Sequence, residues 1–223
     1  EPVNFQKIQK IAKKNKLFTV EDACESLGAK YKNKYLGTIG DIGFFSLDFG
    51  KIITSGEGGF LTTNNKKIYN RLKAMRDHGH ENKKGIHRGL DKAIEIGFNY
   101  RMTEMQAAVG LAQLRKLKKI LVLKKKNKSI LVKKLLKKIK SKNYSFRHSH
   151  DQKNEQNDHL VIYLKNAKIA KKVFLTLKKR GVSTGILPVA TKWHYAGYWK
   201  HIWPKLRKNK IIHKGYWKNS WNL

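Results

Sequence analysis

A lysine that lies between an apolar run and a glycine-rich run most restricts how this 223-residue chain folds. Residues 44–47 read Phe-Phe-Ser-Leu and predict a strand, whereas residues 54–59 read Thr-Ser-Gly-Glu-Gly-Gly and are too rich in glycine for regular structure. Lys51 therefore falls on a tight turn that we expect to be partly buried. Burial disfavours the ammonium form and lowers the pKa of a lysine toward neutrality. A neutral amine forms a Schiff base with an aldehyde cofactor.

Strand and helix patterns alternate through the first half of the chain. The pattern predicts a buried strand over 17–22, strands at 44–47 and 60–62, a helix at 8–14, and a second helix that begins after Asn64 or Asn65 and runs to about Asp77. Residues 97–101 are predicted as a loop, and Thr103 with Glu104 opens a longer helix. This alternation predicts an α/β layer with parallel strand pairing.

The texture of the sequence changes after Asn143. A polar, irregular stretch at 145–158 precedes a strand pattern at 159–164 and a helix pattern at 167–180. We therefore predict a partial large domain at 1–115, a connecting lysine-rich helix at 116–142 and a small, truncated C-terminal domain at 143–223. The chain opens in what reads as the end of a core strand and stops in an apolar stretch, so we expect both ends to be cuts through a domain.

The formal net charge of +35 would normally suggest a nucleic-acid partner. The lysines, however, crowd helix faces, and no motif that reads nucleic acid accompanies them. Between Arg115 and Lys142, leucines and an isoleucine recur at helical spacing while lysine fills the other positions. This predicts an amphipathic helix or helix pair with a solvated cationic side, and no specific nucleic-acid partner. A basic nucleic-acid binder is the alternative, and it would bind duplex without any need for Lys51.

The remaining composition favours a cytoplasmic protein with no membrane partner. Cys24 is the single cysteine, so the chain forms no internal disulfide, which suits a reducing compartment. No apolar run is long enough to span a bilayer, and no charged-then-apolar leader opens the chain. No metal site is predicted.

Three polar side chains lie where ligand groups are expected. Asp22 ends a predicted strand, where a carboxylate would keep a pyridine-type ring nitrogen protonated, or it is a helix N-cap or loop carboxylate. Ser46 is within reach of a phosphate near Lys51, or it bonds its own backbone. Asn99 just precedes a helix start, which favours an anion contact, or it caps a loop.

Five short motifs occur together in one order, and their conjunction is more specific than any of them alone. They are Val20-Glu21-Asp22-Ala23, Gly40-Asp41-Ile42-Gly43-Phe44-Phe45-Ser46, Lys51 with Gly56-Glu57-Gly58-Gly59, Arg76-Asp77-His78-Gly79, and Phe98-Asn99-Tyr100-Arg101-Met102-Thr103-Glu104-Met105-Gln106-Ala107-Ala108. On these residues, the chain resembles the DegT/DnrJ/EryC1/StrS sugar aminotransferases, a fold-type I group that depends on pyridoxal 5′-phosphate. The resemblance extends over roughly residues 17 to 117.

The resemblance implies a role for each candidate. Lys51 would form the Schiff base and move the proton between substrate carbon and cofactor. Asp22 would pair with the pyridine nitrogen, Ser46 would bind the cofactor phosphate, and Asn99 would reach the phosphate in the neighbouring subunit of a homodimer. Glu25 stands where relatives often carry glutamine or histidine near the ring hydroxyl, and an ionised carboxylate there would repel the phenolate oxygen.

The resemblance also implies an α/β fold: part of a fold-type I large domain, mostly parallel sheet with helices, and a small α+β C-terminal domain. Relatives have a longer N-terminal part that supplies a Gly-Thr phosphate contact and an aromatic ring stacked on the cofactor. This sequence contains neither, so we expect an incomplete aminotransferase that carries the lysine half of the site.

Three aromatic residues near the C-terminus lie where relatives contact the sugar. Trp193, His194 and Tyr195 would stack on or bond a polar ring, or they form an aromatic cluster that seals the small domain. The surrounding stretch, 185–197, loosely resembles the branch that aminates a keto-octulosonate rather than a nucleotide-linked sugar.

The predicted function is transfer of an amino group, with glutamate as the expected donor, to a keto or aldehyde sugar used in surface polysaccharide. The sugar is predicted to be nucleotide-linked or of the octulosonate type. Relatives with histidine in place of the lysine act as dehydratases, so Lys51 favours amination. The alternative is a catalytically silent or incomplete family member that acts as a structural or regulatory fragment.

Overall fold

The computed structural model describes residues 2–149, 151–187, 199 and 201–203. The predicted sugar contacts Trp193, His194 and Tyr195 lie outside the described residues. The chain divides into two units, Glu1–Ile162 and Tyr163–Leu223. No helix among the described residues is both long and apolar enough to cross a membrane.

The first unit opens with a helix, continues with five short strands, and then has two helices and a sixth strand, so strands and helices do not alternate as predicted. Its helices are α1 (Phe5–Lys14), α2 (Lys66–Met75) and α3 (Glu104–Lys138), with short 3₁₀ turns at Arg88–Leu90, Ser141–Asn143 and Gln152–Asn154. Its strands are β1 (Val20–Asp22), β2 (Lys30–Tyr31), β3 (Lys34–Tyr35), β4 (Ile42–Ser46), β5 (Gly59–Thr62) and β6 (Tyr144–Phe146).

The second unit begins within β7 (Ile162–Leu164) and contains α4 (Ala167–Lys179). The side chain of Asn166 caps α4 by accepting the N–H of Ile169 at 2.9 Å. Both elements lie within the strand and helix ranges predicted for this part of the chain.

The main sheet has the strand order β1-β4-β5. β1 and β4 pair in parallel, as predicted, and Asp22 lies opposite Phe44. β4 and β5 pair antiparallel, with Phe45 opposite Phe60, where parallel pairing was predicted. The reason is that the glycine-rich connection, residues 47–58, contains no helix, whereas a parallel pair is usually joined by a crossover through a helix. Lys51 lies in this connection.

The first strand is shorter and more exposed than predicted. Leu17 and Phe18 precede β1 rather than belonging to it, and Phe18 is 77% exposed. Val20, the first residue of the strand, is 60% exposed. The prediction of a buried strand over 17–22 was wrong because, among the described residues, the face that carries Val20 and Asp22 is left uncovered, and only Glu21 of this strand is buried.

α3 is one continuous helix where a helix or a helix pair was predicted. Thr103 begins it with a reciprocal cap, in which Thr103 Oγ1 accepts the N–H of Gln106 and the Gln106 side chain accepts the N–H of Thr103, each at 3.2 Å. Leu117 and Ile120 of α3 pack against the buried core of the sheet, which consists of Ala23, Leu27, Phe45, Leu47 and Ile53. Most lysines of the helix lie on its solvent side, as predicted.

A buried carboxylate joins β1 to the loop that precedes β4. Glu21 accepts the backbone N–H groups of Gly37 at 2.7 Å, and of Ile39 and Gly40 at 2.5 Å each. The loop packs tightly on β4, since a Cβ on Gly43 would lie 2.0 Å from the carbonyl oxygen of Gly37. Glu21 therefore fixes the loop that sets where β4 begins.

We predict that Glu21→Ala lowers the free energy of unfolding by about 3 kcal/mol, because it leaves three backbone donors without their acceptor. Urea unfolding followed by circular dichroism measures the change. Glu57→Ala, which removes an exposed carboxylate, is the matched control. Equal stability of the two variants would contradict the assignment.

Candidate active site

The loop after β4 turns Lys51 back toward the sheet. Asp48 shapes the turn by accepting the Lys51 N–H on its carbonyl and the Gly50 N–H on its carboxylate, each at 3.0 Å. Ser55 N–H donates to the carbonyl of Leu47 at 3.0 Å and closes the loop. The Lys51 side chain is only 19% exposed, so its amine is held on the partly buried turn that the sequence predicts.

The amine of Lys51 meets the segment that follows β1. Its Nζ donates to Oε1 of Glu25, whose side chain is 70% exposed. Asp22, at the end of β1, accepts the N–H of Cys24 at 3.1 Å. The charges of Asp22, Glu25 and Lys51 all act on the Cys24 thiol. The parallel pairing of β1 and β4 explains why these groups lie close together, because the carboxyl ends of parallel strands meet at one edge of a sheet.

The electrostatics of this edge correct one expectation. Burial, followed by the hydrogen bond with Asp22, raises the pKa of the Cys24 thiol to about 11. The hydrogen bond that Lys51 donates to Glu25 raises the pKa of Lys51 and outweighs the opposing effect of burial. From the sequence, desolvation is predicted to lower the pKa of Lys51. That prediction is wrong for the chain in which Glu25 accepts a hydrogen bond from the amine.

Ser46 and Asn99 have different surroundings. Ser46, the last residue of β4, accepts the N–H of Asp48 at 3.2 Å, the local backbone bond that was weighed as its alternative role. That bond leaves the hydroxyl proton of Ser46 available to an acceptor. The side chain of Asn99 is exposed. The backbone of Asn99 forms an isolated antiparallel β-bridge with Asp77, which follows the end of α2. Among the described residues, no hydrogen bond or ion pair joins Asn99 to Lys51 or Asp22.

Sequence reasoning assigned no role to Asp77, which the structure shows to be a buried charge centre. Its carboxylate is bound by both Arg88 and Arg101. Burial works to raise the pKa of Asp77, but the two guanidinium groups outweigh it and the pKa is lowered. The composition contained a signal for this. With only 15 acidic residues and 50 lysines and arginines, an acidic residue readily finds a basic partner.

The donor groups at the sheet edge fit a phosphorylated pyridine aldehyde. The edge presents an amine, a carboxylate at the end of β1 and a hydroxyl at the end of β4. These are the groups that bond an aldehyde, a ring nitrogen and a phosphate respectively. Within the ranges that the structure describes, no group of three or more metal-ligating side chains occurs.

The sequence matches the model of the DegT/DnrJ/EryC1/StrS aminotransferase family over residues 1–213. The chain therefore belongs to this family, and the resemblance read from the sequence is confirmed. The predicted fold class is also confirmed, because the similar solved structures are fold-type I aminotransferases. Pyridoxal phosphate is the cofactor of the family.

Three similar proteins illustrate the relationship. GDP-perosamine synthase of Escherichia coli O157:H7 is 45% identical over 113 residues, which are 51% of this chain and 30% of that protein. The PseC aminotransferase of Helicobacter pylori, involved in pseudaminic acid biosynthesis, superposes with a TM-score of 0.70 and 27% identity, over 88% of this chain and 52% of that one. The E. coli GDP-4-keto-6-deoxy-D-mannose-3-dehydratase with bound hydrated pyridoxal phosphate superposes with a TM-score of 0.69 and 26% identity. The superposition covers 82% of this chain and 49% of that one.

The chain thus spans less than a third of the curated relative and about half of each solved relative. Over that part, the match includes the strands and loops that carry Asp22, Ser46, Lys51 and Asn99.

We predict that Glu25→Gln lowers the pKa of Lys51, because it removes the carboxylate whose hydrogen bond raises that pKa. Below the pKa, a lower value means a larger neutral fraction of amine. Acylation of Lys51 at pH 8 should therefore become about two- to fivefold faster in the cofactor-free chain, the range set by an exposed ion pair. Mass spectrometry of the peptide that contains Lys51 measures the rate.

The other groups that act on Lys51, Cys24 and Asp48, are unchanged in this variant. Glu57→Gln is the control, since it neutralises an exposed carboxylate in the same loop. An unchanged or slower rate in Glu25→Gln would show that Glu25 does not set the pKa of Lys51.

Proposed function

We propose that the chain carries the lysine half of an aminotransferase site that transfers an amino group, with glutamate as donor, to a nucleotide-linked keto sugar. The observation that supports it best is the position of the Lys51 amine. It is 19% exposed and directed at the edge where Asp22 and Glu25 lie.

The proposal assigns one contact to each residue at this edge. Asp22 would accept a hydrogen bond from the ring nitrogen of pyridoxal phosphate and keep that nitrogen protonated. Ser46 would donate its free hydroxyl proton to the phosphate, and Glu25 would lie near the ring hydroxyl. When bound, the cofactor supplies an electron sink for the substrate carbon that loses its proton.

Lys51 would serve both as the residue that bonds the cofactor and as the base that moves the proton at the substrate carbon. To do either, it must first give up its hydrogen bond to Glu25 and lose the proton that this bond retains. Released from the cofactor by the substrate amine, Nζ would remain beside the reacting carbon and accept its proton.

Two features favour amination of a nucleotide-linked sugar. By the motif resemblance, Lys51 stands where the dehydratases of this family carry histidine. The synthase at 45% identity bears the name of a GDP-linked sugar. We therefore favour a nucleotide-linked substrate over an octulosonate, with surface polysaccharide as its destination and the cytoplasm as its place of synthesis.

The second subunit of a homodimer would complete the site. Asn99 lies on a different segment from Lys51 and has no described contact with it, which fits a residue that serves the neighbouring subunit. The sugar contacts proposed for Trp193, His194 and Tyr195 rest on their position in the sequence alone.

The test is capture of pyridoxal phosphate on Lys51. We expect the full chain to develop the absorbance band of a protein-bound cofactor, and borohydride reduction to fix the cofactor on the peptide that contains Lys51. Lys51→Ala should lose the band, whereas Lys66→Ala, an exposed lysine at the start of α2, should keep it.

A loaded chain is then supplied with glutamate and a GDP-linked 4-keto sugar, and formation of 2-oxoglutarate is measured. A band that Lys51→Ala retains, or a colourless chain at saturating cofactor, would contradict the proposal and favour the catalytically silent alternative. A band without turnover would confine the proposal to cofactor binding.

A further inference from the structure

A salt-bridged carboxylate, Asp77, connects the end of α2 to the segment that carries Asn99. Asp77 directly follows the cap of α2, and it is only 5% exposed. Arg88, in the middle of the following loop, and Arg101, two residues after Asn99, both bind its Oδ1 atom. One carboxylate therefore joins the end of a helix to two later points of the chain.

Backbone hydrogen bonds hold the same segment against the end of α2. Phe98 N–H donates to the carbonyl of Met75 at 3.0 Å, and Tyr100 N–H donates to the carbonyl of Arg76 at 2.9 Å. The N–H of His78 returns to the carbonyl of Phe98 at 3.0 Å. Asn99 is thus flanked on both sides by residues bonded to the helix end.

The approach of the two segments leaves no space for side chains at two glycines. A Cβ on Gly97 would lie 2.5 Å from the Met75 carbonyl oxygen, and one on Gly79, whose φ is +82°, would lie 1.8 Å from the Glu95 carbonyl oxygen. The segment therefore lies in one register on the helix end, and the side chain of Asn99 projects from it into solvent.

The side chain of Asn99 is itself directed by this arrangement. Its Oδ1 accepts the N–H of Arg101 at 3.4 Å, and its Nδ2 has no described partner. Because Asn99 is exposed, its amide N–H groups are available to an anion. The backbone N–H of Arg101 donates to the side chain of Asn99, and the guanidinium of Arg101 binds Asp77. Arg101 therefore links Asn99 to Asp77.

We propose that Asp77 is the positioning residue for Asn99: through Arg101 and Arg88 it holds the segment 97–101 so that the Asn99 amide faces a phosphate. This inference rests on the proposed function, because it takes the cofactor phosphate as the ligand of Asn99. Asp77 itself touches neither cofactor nor substrate.

The structural part of the proposal is tested by hydrogen–deuterium exchange on the cofactor-free chain. We expect Asp77→Asn to speed exchange at the amides of Phe98 and Tyr100 by about tenfold or more. The substitution removes the ion pairs of Asp77 that hold the segment containing these amides. Glu81→Gln is the control: it removes a carboxylate of the same loop whose ion pair, with Lys83, is local, and exchange at these two amides should not change. Unchanged exchange in Asp77→Asn would overturn the proposal.

The functional part compares two ligands that differ only in the phosphate. Asp77→Asn should weaken binding of pyridoxal phosphate about tenfold, as expected for loss of a hydrogen bond to a charged group, and leave the binding of pyridoxal unchanged. An equal loss for both ligands would mean a general disruption and would overturn the proposal. Arg101→Gln, which leaves Asp77 bound to Arg88, should act in the same direction and replaces Asp77→Asn should that variant not fold.

A double-mutant cycle separates positioning from a purely structural role. Once Asn99→Ala has removed the amide, adding Asp77→Asn should cause no further loss of affinity for pyridoxal phosphate. Additive losses would overturn the proposal. If the wild-type chain binds no pyridoxal phosphate, the proposed function fails, while the exchange experiment still decides whether Asp77 holds the segment.

Discussion

The carboxylate of Glu21 is the constraint on which the rest of the sheet depends. It lies on β1, yet its three acceptor bonds go to the loop that precedes β4, so it fixes the position of one strand against the other. The register that results places Asp22 opposite Phe44 and Ser46 close beyond it. The candidate site at this edge is therefore a consequence of how Glu21 is buried.

Carboxylates organise this chain because they are few and the cations are many. Glu21 collects backbone donors, Glu25 holds the amine of Lys51, and Asp77 gathers two arginines. Most of the lysines on α3, by contrast, lie on its solvent side. The excess positive charge thus gives little indication of function, whereas these acidic residues show which segments are held together.

The candidate site combines a poised amine with a restraint on that amine. The turn around Asp48 and the buried Ile53 hold Lys51 at the sheet edge, but Glu25 keeps its pKa high. Reaction with an aldehyde therefore requires exchange of one hydrogen-bond partner for another. The same logic applies at Asn99, whose amide is directed by a bond to Arg101 while its donor group stays available.

Local residue patterns were sufficient to predict the helices and the family. Asn65 and Thr103 begin helices because their side chains cap backbone donors in the next turn, and the motif order around Lys51 identified the aminotransferase family. The antiparallel pairing of β5, the exposure of β1, the raised pKa of Lys51 and the two ion pairs of Asp77 follow from the tertiary structure. Each of these depends on groups that are distant along the chain and become neighbours only on folding, and burial and Coulomb interactions act on distance in space rather than distance in sequence.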